Sequence, residues 1–332
     1  MNIPNDTGHP WRLNKFIEYQ HQVPSIHYRT LGAYINKHKL TQDDAIFLSW
    51  LMSVTYNEIT CMLIFESLDW KTMTLDNVKE YWKENKEVLN FGSARKYAKN
   101  MDWFVPLIGS FMKLVKRNPY KWLRDFKCVY PTDTYTRINR AVLGIEYVGR
   151  FSADLFMEMI VHLSRLKVIG IQVEEPLQLD WKNCSNLTSG LLNIFYKDAA
   201  ADVFDKTHHI APSDIEYLNR KILQVQKSVQ EVYPEQDCDL MMFVGKICSF
   251  RNLFKSSRYG GFHHDRQLGV LKEYEKALPN RKSVWEDVYE LRKAMFNPKL
   301  LGERGNWSGI RKERKKLWIE KGETGVESIS KH

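Results

Sequence analysis

The chain is short of cysteine pairs. Its five cysteines, Cys61, Cys128, Cys184, Cys238 and Cys248, are scattered, odd in number and without a C-x-x-C pair. That excludes a disulfide framework, a zinc knuckle and an Fe–S cluster of ordinary spacing, and predicts reduced, structural thiols. There is no run of about 18 apolar residues, the length a membrane helix needs. The opening MNIPNDTGHPWRLNKF carries no apolar signal core, so the expectation is a soluble, intracellular protein with no membrane partner. In that setting the sequon Asn183-Cys184-Ser185 has no glycan to accept. Internal repeats and low-complexity tracts are absent as well. Acidic residues are the minority charge, 40 against 49 Lys and Arg.

What the chain does hold is apolar bulk. Hydrophobic residues make up 43% and aromatics 13% of 332 residues, enough to bury one large core or two of ordinary size. The formal charge of +9 suits a polyanionic partner, because each Lys or Arg placed on a phosphate releases condensed counterions. Charge alone does not separate nucleic-acid binders from other basic proteins.

Helical signals dominate, and the expected fold class is all-α. Thr41 to Asp44 reads as a capping box ahead of the apolar run Ala45 to Phe65, a buried helix with a break near Thr55-Tyr56-Asn57. Further helices are predicted over Thr74–Leu89, Ser93–Asn100, Val105–Val115, Tyr120–Phe126, Asp133–Leu143 and Arg150–Leu166. The Val168-Ile169-Gly170-Ile171-Gln172-Val173 stretch precedes Glu174-Glu175-Pro176 and reads as an irregular connection rather than a strand. Helices resume over Asn186–Tyr196, from a capping box at Ser213–Glu216 to about Tyr233, and over Cys238–Phe254, Leu268–Ala277, Val284–Phe296 and the basic Ser308–Glu320. The pattern breaks at 206–212, which divides the chain into a helical part, 1–210, and a helical C-terminal part, 211–332, packing on it.

The most informative segment is Leu143-Gly144-Ile145-Glu146-Tyr147-Val148-Gly149-Arg150-Phe151-Ser152-Ala153. It reads as a tight hairpin between two helices, with Gly149 freeing backbone N–H groups to face a phosphate. The plainer reading is an ordinary helix-turn-helix elbow with a glycine C-cap at Gly144. Further along, Leu179-Asp180-Trp181-Lys182-Asn183 offers a carboxylate that is either functional or a helix N-cap.

This layout resembles the helix-hairpin-helix DNA glycosylases, whose hairpin has the form L-P-G-V/I-G and is followed by a supporting Asp. Aligning the last glycine with Gly149 places Val148, Ser152 and Ala153 on the pattern, but puts Tyr147 where the first glycine stands. A tyrosine there would have to avoid the left-handed backbone, so the turn differs in detail or Tyr147 is put to use. The spacing to Asp180 implies an insertion around 170–177. The lysine that forms a Schiff base in bifunctional members is replaced by Phe151, which disfavours a lyase.

Two further blocks, Glu174 to Gly190 and Asn252 to Gln267, together with Val54-Thr55-Tyr56-Asn57-Glu58, are similar to the phage alpha-glutamyl/putrescinyl thymine pyrophosphorylases, or amino acid:DNA transferases. That family is itself similar to the glycosylases. The resemblance implies a helix-hairpin-helix glycosylase-like domain with additional C-terminal helices. It also implies an enzyme that acts in the cytoplasm of the infected bacterium, on double-stranded DNA bearing a modified pyrimidine. Pyrophosphate on 5-(pyrophosphoryloxymethyl)uracil would be displaced by an amine such as glycine, serine, glutamate or putrescine. No cofactor or metal is implied.

On that reading Asp180, His263 and His264 are the catalytic candidates. Trp181, Lys182, Asn183, Ser185, Asn186, Thr188 and Ser189 are candidates for holding the substrate. Lys255, Arg258, Tyr259, Asp265 and Arg266 are candidates for the pyrophosphate. Tyr147, Gly149, Arg150 and Ser152 would meet DNA at the hairpin, and Arg311, Lys312, Arg314, Lys315 and Lys316 in the basic tail at 304–321 would follow its backbone. Each has a plainer alternative: a solvated surface for the loop and the tail, a core position for Trp181. The rival functions are a monofunctional glycosylase and a non-catalytic DNA-binding protein.

Overall fold

Thr41 and Asp44 exchange hydrogen bonds as the sequence predicts, each backbone N–H donating to the other's side chain at 3.2 Å. In the computed structural model they open a helix that is buried from Ala45 to Thr55. The structure describes residues 13–14, 16–17, 26–92, 98–176, 185–195, 212–234, 243, 245–247, 250, 262–295, 308–309, 311–313 and 316. At 26–28, 185–186, 189, 193, 263–264 and 295 it describes the backbone alone.

The fold is all-helical, and no strand occurs among the described residues. In chain order the helices are α1 Ile26–Lys37, α2 Gln42–Thr55, α3 Glu58–Ser67, α4 Leu75–Asn85, α5 Met101–Val115 and α6 Pro119–Arg124. They continue with α7 Pro131–Leu143, α8 Arg150–Arg165, α9 Ser185–Phe195, α10 Pro212–Val232, α11 Phe262–Ala277 and α12 Lys282–Met295. None of the described helices is long and apolar enough to cross a membrane. Cys61 and Cys128 are free thiols; burial holds the Cys61 thiol well above its ordinary pKa.

Two compact units form, and they do not follow the expected division at 206–212. One comprises Ile26–Pro176 and Val270–Met295, the other Met1–Ser25, Leu177–Gly269 and Phe296–His332. Chain order is therefore a poor guide to domain membership here.

In the first unit α2 is the central post, packed by α3, α5, α6 and α8. It is apolar on every face, so its buried hydroxyls need partners inside the helix. Ser49, Ser53 and Thr55 donate to the carbonyls of Ala45, Trp50 and Leu51 at 2.7–2.9 Å, the back-bonding that lets such residues sit in a dry helix. Trp50 stacks on Phe111 at 4.5 Å with an interplanar angle of 8° and meets Phe156 edge-on. The predicted break is present. Tyr56 turns left-handed (φ 47°) at the end of α2, and Asn57 caps α3 by accepting from Ile59 N–H and Thr60 N–H.

Gly92 closes against this joint, its N–H donating to Thr55 O at 2.8 Å. A Cβ there would lie 2.5 Å from Tyr56 O, so only glycine fits. Tyr274 of α11 ties the same neighbourhood: its hydroxyl accepts from Asn90 N–H at 2.6 Å and pairs with Thr60 Oγ1. Thr60 in turn donates to Asn90 O. Elsewhere in the unit, α12 is tied to the end of α1 by Asp287, which meets Lys37 and His38.

The second unit has its own core, in which Phe16, Leu187, Leu191, Phe195, Leu218, Ile222, Val225, Phe243 and Ile247 are buried together. Lys221 is buried here, with its ammonium 4.6 Å from the Phe195 ring centre. Several helix starts differ from the sequence expectation. α5 begins at Met101 rather than Val105, and α11 begins at Phe262 rather than Leu268. Pro212 and Ser213 lie inside α10, so Ser213 is not its N-cap.

Candidate nucleic-acid interface

α7 and α8 form the predicted hairpin. The α7 C-cap, Gly144, keeps a right-handed backbone (φ −79°), and Val148 N–H then donates to Ile145 O at 3.1 Å to close a tight turn. Ile145 and Val148 are buried and anchor the turn, while Glu146 and Tyr147 face out. Tyr147 stands third in that turn with φ 65°. The sequence expectation that a tyrosine would avoid this conformation is corrected: it occupies the place where glycine is favoured, at a cost of about 1 kcal/mol.

Gly149 is the N-cap of α8 with φ −83° and ψ 172°, a conformation open to any residue. A Cβ built there would meet nothing within 4 Å. Neither the backbone nor internal packing requires glycine. Its missing side chain leaves the start of α8 uncapped and open to solvent, with no acidic residue in the first turn. The positive end of the helix dipole is thus presented to an approaching anion.

Around the turn lie rings. Tyr147 packs edge-on against Trp103 of α5 at 4.9 Å, and Phe151, in the first turn of α8, meets Tyr56 at 6.0 Å. Trp103, Tyr147 and Phe151 are 36%, 42% and 46% exposed. A hydrogen bond to Glu146 raises the pKa of the Tyr147 phenol, helped by the charges of Glu146 and Asp102. Arg150 is exposed and pairs with Asp154 one turn on at 3.7 Å. Burial pushes the Asp154 carboxyl up, against the opposing pull of Arg150.

Of the four residues expected to meet DNA here, Tyr147, Gly149 and Arg150 are at the surface. Ser152 is not: it is buried. Trp103 was not singled out in the sequence. The available signal was its position off the apolar stripe Phe104, Val105, Leu107, Ile108 and Phe111, visible once α5 is started at Met101.

The remaining candidates belong to other parts of the chain. Asp180, Trp181, Lys182, Asn183, Lys255, Arg258, Tyr259, Arg314 and Lys315 lie outside the described residues. Ser185, Asn186 and Ser189 are on α9 and His263 and His264 on the first turn of α11, described as backbone. That stretch is helix from Phe262 onward, not the loop that was the plainer reading. Thr188 and Asp265 are fully buried, which removes both from a solvent-facing binding surface; Arg266 is exposed. Arg311, Lys312 and Lys316 are exposed on the C-terminal helical turns. The Arg311 guanidinium lies 5.7 Å from the Phe262 ring centre, bringing the basic tail to the start of the helix that carries the histidine pair. Among the described residues no group of three His, Cys, Asp or Glu side chains could hold a metal ion.

No family model, curated protein or solved structure matches the chain.

Proposed function

We propose that this protein grips DNA through the 143–153 hairpin and exchanges the pyrophosphate of a 5-(pyrophosphoryloxymethyl)uracil for an amine, giving a hypermodified thymine. The observation that carries the DNA half of this reading is Gly149, a glycine that neither strain nor packing calls for, at the uncapped start of α8. Close approach of a phosphate from outside gives it a use. The chemical half rests on the resemblance of the 174–190 and 252–267 blocks to the amino acid:DNA transferases.

In the reaction the amine nitrogen bonds to the exocyclic methylene carbon as the carbon–oxygen bond to pyrophosphate breaks. The pyrimidine ring stabilises charge developing at that carbon, and pyrophosphate is a good leaving group. We assign Asp180 the proton of the attacking ammonium, or the electrostatic support of a cationic transition state. The leaving group falls to His263 and His264 as proton donors and to Lys255, Arg258 and Arg266 as charge partners.

The test is mass spectrometry of nucleosides after incubation with pyrophosphorylated hydroxymethyluracil DNA and a pool of amino acids and polyamines. A thymidine derivative heavier by one amine is the expected product and identifies the donor. An abasic site would make the protein a glycosylase, and full turnover by Asp180→Asn would remove Asp180 from the chemistry.

A further inference from the structure

Among the described residues, four aromatic side chains are exposed, and three of them surround the hairpin: Trp103, Tyr147 and Phe151. The rings of Trp103 and Tyr147 meet edge-on at 62°, and each ring is partly exposed. Tyr147 is held there by a left-handed backbone that a glycine would take without strain. A large ring displayed at a strained position is better explained by contact with a partner than by the chain's own packing.

We infer that Trp103 and Tyr147 form a stacking step for an unpaired nucleobase, so that the hairpin favours single-stranded or locally opened DNA over a closed duplex. This rests on the DNA reading above and adds to it the state of the DNA that is bound. The charges around the rings agree. Glu146 and Asp102 both act on the Tyr147 phenol and repel phosphate from that edge, where their oxygens instead accept from the amino groups of a base. Arg140 and Arg150 are exposed on the flanking helices, and the open N-terminus of α8 at Gly149 leaves the sugar–phosphate chain a path beside the rings. A base ring has the flat face that such a step takes, whereas a closed duplex shows only base edges.

The experiment is fluorescence anisotropy of a labelled single strand, its blunt duplex, and the same duplex with an unpaired bulge, each titrated across a range of salt. The single strand and the bulged duplex are expected to bind more tightly than the blunt one. Tyr147→Gly, which suits the backbone while deleting the ring, is expected to weaken both by about tenfold and leave the salt slope unchanged. Trp103→Ala is expected to act alike, and Trp103→Phe to restore binding. Arg150→Ala is expected instead to lower the salt slope by about one. If Tyr147→Gly binds all three DNAs as the unaltered protein does, the stacking step is wrong and the DNA reading survives, the rings then being a surface for a protein. If the unaltered protein binds none of them, both fall.

Discussion

Two aromatic clusters in the same unit show opposite uses of one residue type. Around α2, Trp50, Phe111 and Phe156 are fully buried, with Trp50 and Phe111 nearly parallel at 4.5 Å. At the hairpin, Trp103 and Tyr147 meet edge-on and Phe151 leans on Tyr56, all three hairpin rings partly exposed. The first cluster supplies stability through buried area, and its backbone is regular helix. The second is buried only in part and includes a strained residue. A partly exposed ring kept in a costly conformation, as at Tyr147, is what the proposed recognition role would explain and folding alone does not.

The comparison can be broken by mutation. The largest effect is expected from Trp50→Ala, a loss of about 3–5 kcal/mol in denaturant unfolding, since the cavity lies at the centre of the unit. Tyr274→Phe is expected to cost about 1–3 kcal/mol by removing the hydroxyl shared by Asn90 N–H and Thr60. Asn57→Ala should cost about 1 kcal/mol through the lost cap of α3. Tyr147→Gly is expected to fall within about 1 kcal/mol of the unaltered protein in either direction, with relief of strain set against lost ring contact. A loss at Tyr147 as large as that at Trp50 would erase the distinction between the clusters.

Two carboxylates sharpen the same contrast through pH. Burial raises the Asp287 pKa, but hydrogen bonds from Lys37 and His38 outweigh it and hold the carboxyl below its ordinary value. Its contribution is present above the ordinary aspartate range and lost as pH falls through the lowered value. Asp154, beside the hairpin, is raised by burial, so its contribution is full below the ordinary range and lost as pH rises through the raised value. Thermal melts across acid pH should therefore show Asp287→Asn lowering stability at neutral pH and Asp154→Asn slightly raising it.

Much of this fold is legible in the sequence because its signals are local. The capping box at Thr41, the break at Tyr56-Asn57 and both hairpin helices are written in polar residues at the ends of apolar runs. The start of α5 is not: Pro106 suggests a helix opening beside it, yet the helix runs back to an Asn100 cap that accepts from Asp102 N–H at 3.0 Å. The burial of Ser152 and Thr188 is also out of reach, since a small hydroxyl residue suits either face of a helix. The conformation of Tyr147 is hidden for a different reason. Residue type predicts the opposite, and only the buried Ile145 and Val148 on either side force the turn.

The joint at Gly92 links positions that the chain keeps far apart. An added methyl at 92 would press on Tyr56, and the Tyr56 ring supports Phe151 at the head of α8. In genetic terms, Gly92→Ala should behave as an allele of the hairpin, sharing the defect of hairpin variants in the proposed DNA binding with no substitution in the hairpin itself. Tyr56→Gly should suppress it only in part, because the colliding Tyr56 carbonyl would remain.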